Sequence, residues 1–374
     1  MFPHLCRHSV ATPHWPLALL LLLSLPVRAD DDFKIAGVKP RAANLSAAAI
    51  SDDGRLVFTG EDDGLLTLSI VKTGGVVKKF NGHWPRGVFA TALLRDGKRG
   101  VSCGDDNKVI VWDLDAGTSV REMSTGDSIP YVMSCTPDGS LAATGCNDGG
   151  IIVWNLDDGR RVTTLRRSSP LCSVLFSPDA KVLAAGYTDG QVVLWDTARW
   201  SEKLTLSSPD GASVGALAFS ADSRLLATGN QNGAGFIRSV ADGAQVSSFA
   251  GYAHPKTPPS PPVAPVFPGS TITPDDSGSI VFLCLSPDGG VILSSAQDGT
   301  PKFWETKTGR LLGTADWFAD TRFYVARYGF TFATAAVTPR RDCIVTFDFN
   351  ADDYPEYSLA QAWRLSFKPT SGSE

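Results

Sequence analysis

Residues 141–155 read LAATGCNDGGIIVWN, and a near copy, LAAGYTDGQVVLWD, follows at 183–196. A weaker copy, VSCGDDNKVIVWD, precedes both at 101–113. Each has an apolar strand, small residues, an Asp-containing tight turn and a second, β-branched strand. That is the pattern of a hairpin. A chain that repeats one hairpin must pack its copies against each other, because a single unit cannot bury both of its faces.

Two markers give the period. The turn after the opening strand of each copy carries Asp53, Asp96, Asp138, Asp179 and Asp222, at steps of 41 to 43 residues. Asp288 and then Arg340 continue this series at longer steps. The end of the third strand carries Ser69, Trp112, Trp154, Trp195 and Arg238 at the same short steps, followed by Trp304 and Trp363. Five residues after each of the first six comes a further turn residue: Gly74, Gly117, Gly159, Trp200, Gly243 and Gly309. Seven copies of a four-strand unit follow, with insertions behind the fifth and sixth.

The dipeptides closing the third strand are Trp112-Asp113, Trp154-Asn155, Trp195-Asp196 and Trp304-Glu305. Ser-Pro-Asp stands at 177–179 and 286–288, and Thr-Pro-Asp at 136–138. In these residues, over nearly the whole chain after its N-terminus, the sequence resembles the WD-repeat β-propeller family. The resemblance implies an all-β fold, a seven-bladed propeller of radially stacked four-stranded sheets. The seventh copy ends soon after its third strand, and residues 33–37 form an orphan strand before the first copy. We expect that strand to complete the last blade as its outer strand, a velcro closure. In this family a His, a Ser or Thr, an Asp and the Trp form a hydrogen-bonded tetrad. Here Gly82-His83, Ser102, Asp106 and Trp112 match in full. Asp63, Asp148, Asp189 and Asp298 keep the Asp without the His, and the fifth copy has Asn232 and Arg238 at the Asp and Trp positions. A Ser-His-Asp set also invites a catalytic-triad reading, but these three occupy repeat positions, so the structural role is expected.

The N-terminus stands apart from the repeats. Arg7 and His8 precede the apolar run at 17–25, and Val27-Arg28-Ala29 supplies small residues for cleavage. Residues 1–29 are expected to be a signal peptide, with an uncleaved anchor as the alternative. Residues 30–374 are then a single exported propeller, periplasmic or extracellular, with no membrane insertion after signal cleavage. The formal net charge of -5 becomes more acidic on losing Arg7 and Arg28. Such a chain has no electrostatic footprint for nucleic acid. Six cysteines follow residue 29, with no CxxC pair. They read as small buried apolar residues. Export leaves a disulfide between Cys103 and Cys146 open.

Chemistry-bearing motifs are absent. Only His83 and His254 lie beyond the signal segment, and no phosphate loop, dinucleotide fingerprint, GxSxG elbow or CxxCH site is present. No cofactor, metal or catalytic residue is assigned. Asp352, Asp353 and Glu356 lack the glycine-turned loop of a calcium site.

The insertions remain. Residues 252–277 include KTPPSPPVAP, a polyproline run that cannot extend a sheet. It reads either as a surface loop or as a docking strip for an aromatic groove. Residues 317–332 interleave aromatics with Arg322 and Arg327. Phe330 and Phe332 are expected in the last blade's first strand. Trp317, Phe318, Arg322, Phe323, Tyr324, Arg327 and Tyr328 are the candidate partner-binding residues, with simple packing as the alternative. The leading expectation is a non-catalytic scaffold presenting one loop-rich face to a protein or peptide; a permanent envelope assembly would be a variant of it. The competing class is a hydrolase or lactonase-like enzyme at the central channel, which requires a funnel lined by carboxylates and His, or a bound metal.

Overall fold

The computed structural model describes residues 45–71, 73–252, 278–286, 288–296 and 302–314, and the backbone of three strands between 334 and 364. Every regular element among them is a β-strand. They form six four-stranded antiparallel sheets and one three-stranded sheet, each a simple meander in chain order. We number them sheets 1 to 7, over residues 45–81, 88–124, 130–166, 171–207, 214–250, 280–314 and 334–364.

Burial explains which residues went where. The second and third strands of a sheet are covered on both faces by neighbouring sheets, so nearly all their residues are buried, apolar and small hydroxyl side chains alike. In Lys108–Asp113, Val109, Ile110 and Val111 are all 0% exposed. The fourth strand lies at the rim and keeps little inward contact. In Thr118–Ser124 only Met123 is buried. The clusters between sheets are continuous: Leu165 of sheet 3 packs with Leu183, Val193 and Trp195 of sheet 4. Burying a side chain of this size contributes roughly 1.5–3 kcal/mol.

One irregularity recurs. In sheets 1 to 6 the register between third and fourth strands slips next to the Trp position, as between Val111 and Trp112 or Val153 and Trp154. A bulge there adds local twist to the outer strand. The turn that follows needs a left-handed residue. Gly74, Gly117, Gly159, Gly243 and Gly309 supply it, and Trp200 takes φ 53° in sheet 4. A bulky residue in that region is strained.

The first strands form the inner lining. Leu45–Ile50 lies beside Val88–Leu93, and so on in sequence to Ile280–Leu285, which lies beside Thr334–Val337. Thr334–Val337 in turn lies beside Leu45–Ile50. Residues 33–37 and the signal segment lie outside the described residues. The described first strand of sheet 7 starts at Thr334, so Phe330 and Phe332 also lie outside them.

Candidate functional site

Sheet 2 holds the tetrad in full. His83 comes from the connection between sheets 1 and 2, Ser102 from the second strand of sheet 2, Asp106 from the next turn and Trp112 from the third strand. The Trp112 indole N–H donates to Ser102 Oγ at 2.8 Å. Ser102 Oγ and His83 Nε2 are 2.7 Å apart, as are His83 Nδ1 and Asp106 Oδ1. One donor order satisfies all four: indole to hydroxyl, hydroxyl to Nε2, and Nδ1–H to carboxylate. His83 and Ser102 are 1% and 0% exposed. A nucleophilic serine needs space at its oxygen for a substrate carbonyl. Ser102 Oγ is instead enclosed between an indole and an imidazole. Gly82 is required here because a Cβ would lie 2.3 Å from Trp112 Cη2.

Elsewhere the network is cut down or rebuilt. Trp154 donates to Thr144 Oγ1 at 2.9 Å, and Trp304 to Ser294 Oγ at 2.7 Å. In sheet 4 the hydroxyl position is Ala185. The Trp195 indole N–H makes no hydrogen bond of normal geometry there, although the Tyr187 hydroxyl is near enough to interact with it. Sheet 5 replaces the tetrad altogether. Asp210 accepts from Ser208, Asn230 and Asn232. Arg238 stands in the Trp place, donates to the Ser207 carbonyl at 2.7 Å and lies over Phe236. Burial pushes its pKa below the ordinary guanidinium value.

Sheet 6 contains a residue that sequence reading assigned to the insertion. Tyr252 is 4% exposed, and its hydroxyl is 2.8 Å from Ser294 Oγ. It takes the place that His83 has in sheet 2. Gly251 before it repeats the role of Gly82, since a Cβ there would lie 2.6 Å from Trp304 Cη2. Lys302 Nζ donates to the Gly251 carbonyl and sits 3.9 Å from the Tyr252 ring centroid. The sequence signal was available: a Gly followed by a hydrogen-bonding aromatic, ahead of Ser294 and Trp304.

The repeated aspartates are committed to turns. Asp63, Asp106, Asp148 and Asp189 each accept the backbone N–H two residues on, at 3.0 to 3.2 Å. At the opposite end of the sheets Ser51, Thr136, Ser220 and Ser286 donate to Asp53, Asp138, Asp222 and Asp288 at 2.5 to 2.7 Å. The hydroxyl in each pair holds the carboxyl below its usual pKa.

A cavity of about 580 Å³ lies among the first strands of sheets 3 to 6, with Arg95, Met133, Leu175, Leu217 and Phe282 in its wall. Among the described residues its lining has no carboxylate and no imidazole. Among the described residues no three His, Cys, Asp or Glu side chains are grouped to hold a metal. Cys103 and Cys146 are free thiols at 0% exposure. Burial raises the pKa of both, that of Cys146 to about 12, so neither has thiolate character. The candidate partner-binding set, Trp317, Phe318, Arg322, Phe323, Tyr324, Arg327 and Tyr328, lies outside the described residues, as does Asp298. Among the described residues no helix is long and apolar enough to cross a membrane.

Comparison with known proteins agrees with the repeat. The family described as WD domain, G-beta repeat, matches residues 74–113, 117–155, 159–196 and 268–305. Those stretches are fewer than half of the residues, and the chain thus carries four WD repeats. The first three matches each begin at the outer strand of one sheet and end at the third strand of the next, so each repeat ties two sheets together. Autophagy-related protein 16 from Arabidopsis thaliana is 32% identical over 107 residues, which are 28% of this chain and 21% of that protein. The chain therefore spans about a fifth of that relative's length.

Proposed function

We propose that this WD-repeat chain is an exported, non-catalytic scaffold that presents one face of a closed seven-bladed propeller to a protein or peptide partner. The observation that carries the reading is where the polar side chains are used. The Ser-His-Asp set is enclosed by Trp112, and the repeated aspartates pin their own turns. What remains for recognition is what protrudes from the sheets.

Ring closure is supported by the contact between Leu45–Ile50 and Thr334–Val337. Sheet 7 has three strands among the described residues, and residues 33–37 are the segment we assign to its fourth place. Export rests on residues 1–29. The contact surface is assigned to Trp317, Phe318, Arg322, Phe323, Tyr324, Arg327 and Tyr328, where aromatic and Arg side chains are concentrated. The test is a variant carrying Trp317→Ala and Tyr324→Ala. It should lose capture of its envelope partner and keep its melting temperature. Capture that survives would assign the wrong face.

A further inference from the structure

The most exposed large apolar side chain among the described residues is Trp84, at 68%. It follows His83 directly, so the one complete tetrad fixes the backbone from which this ring projects. Three further contacts hold the connection. The Arg86 N–H donates to the His83 carbonyl at 2.8 Å, and the Asp105 N–H to the Gly87 carbonyl at 2.9 Å. The turn at 62–64 lies close on the other side: a Cβ on Gly64 would meet the Trp84 nitrogen at 2.6 Å. A tryptophan exposed on a fixed loop loses little conformational freedom on binding, which is the property of a recognition anchor.

Charge chooses the partner. The two flanking turns bring Asp62, Asp63 and Asp105 beside the loop, where the cation is Arg86; Lys108, past the second turn, is paired with Glu122 at 2.9 Å. Arg86 Nη1 is 3.5 Å from Asp105 Oδ2. An indole face attracts an ammonium or guanidinium group, and neighbouring carboxylates add to that attraction. An acidic segment would meet like charge on both sides of the ring. We propose that Trp84, between the turns at 62–64 and 104–106, anchors a lysine- or arginine-bearing segment of a protein partner. This rests on the scaffold reading and adds the chemistry of what is recognised. The connection that carries Trp84 and the turns beside it are at the sheet end where the insertion after Tyr252 leaves the fold.

The experiment uses the full chain and a fluorescein-labelled peptide of alternating lysine and alanine, with the glutamate–alanine peptide as control, read by fluorescence anisotropy. The lysine peptide should bind, and more weakly as salt is raised. Trp84→Ala should weaken it at least about tenfold, the loss expected of an aromatic anchor. Asp63→Asn keeps the oxygen that accepts the Leu65 N–H and should weaken it severalfold; Arg86→Ala should strengthen it. Melting curves check that each variant is folded. Trp84→Ala leaves the charge unchanged, so simple attraction between an acidic protein and a basic peptide would survive it. Undiminished binding in that variant, no binding by the unaltered chain, or preference for the glutamate peptide would each overturn the proposal. The same peptide is measured on the Trp317→Ala, Tyr324→Ala variant, whose loss of envelope-partner capture tests the scaffold reading separately.

Discussion

Removing the Ser102 hydroxyl should be among the most damaging one-atom changes this protein can undergo. Its oxygen accepts the Trp112 indole N–H and lies within hydrogen-bond reach of His83 Nε2. Trp112 and His83 are 3% and 1% exposed, so water cannot replace it. Ser102→Ala leaves two buried polar groups without partners, at about 1–3 kcal/mol each, or roughly 2–6 kcal/mol together. That is a large share of the roughly 5–15 kcal/mol by which domains are stable. Thr144→Val is the internal control. It orphans one indole N–H, that of Trp154, and keeps the shape of the side chain. It should cost about half as much, roughly 1–3 kcal/mol. Sheet 4 lacks the hydroxyl altogether, with Ala185 at that position. Urea unfolding followed by far-ultraviolet circular dichroism measures both, the midpoint falling while the slope stays constant. Refutation would be a Ser102→Ala protein within about 0.5 kcal/mol of the parent, the range of an ordinary surface change. A larger loss from Thr144→Val than from Ser102→Ala would also refute it.

Acid should destabilise the chain through its hairpin turns. Asp53, Asp138, Asp222 and Asp288 have lower carboxyl pKa values folded than unfolded, so their contribution is present above the unfolded value and is lost as pH falls through the folded one. The melting temperature should decline below about pH 4, and changing these four to Asn should flatten the decline; an unchanged acid profile would discount the hydroxyl–carboxylate pairs. Gly309→Ala should destabilise by more than about 2 kcal/mol, because φ is 70° and the added Cβ would fall 1.9 Å from the Ser248 carbonyl oxygen. A melting temperature equal to the parent's would show that the turn at 306–309 is placed wrongly.

Much of this architecture is legible in the sequence because a stacked sheet imposes the same demands on every copy. A third strand covered on both faces must read like VIVW, and a left-handed turn five residues later selects Gly. The departures are equally physical. Trp200 satisfies a left-handed turn that favours Gly, and nothing in its residue type announces that. Tyr252 departs from the Gly-His pair of sheet 2, because the site asks only for a polar group that reaches Ser294 Oγ behind a residue without a Cβ. The network of Ser208, Asp210, Asn230 and Asn232 is not legible in the sequence because its members lie on two segments about 20 residues apart, brought together only when the connection between sheets 4 and 5 folds onto sheet 5. Trp84 stands outside the repeat markers. Its place above the His83 network emerges only with the loop geometry.

The proposed ring has its ends joined by residues 33–37. It is tested most directly by comparing the thermal melting of a chain beginning at Asp30 with one beginning at Val38. If residues 33–37 supply the outer strand of sheet 7, the shorter chain melts several degrees lower, since each kcal/mol lost shifts the midpoint by about 2–4 °C in a domain of 150–250 residues, and by less in one this size. Coincident melting curves for the two chains would contradict the closure.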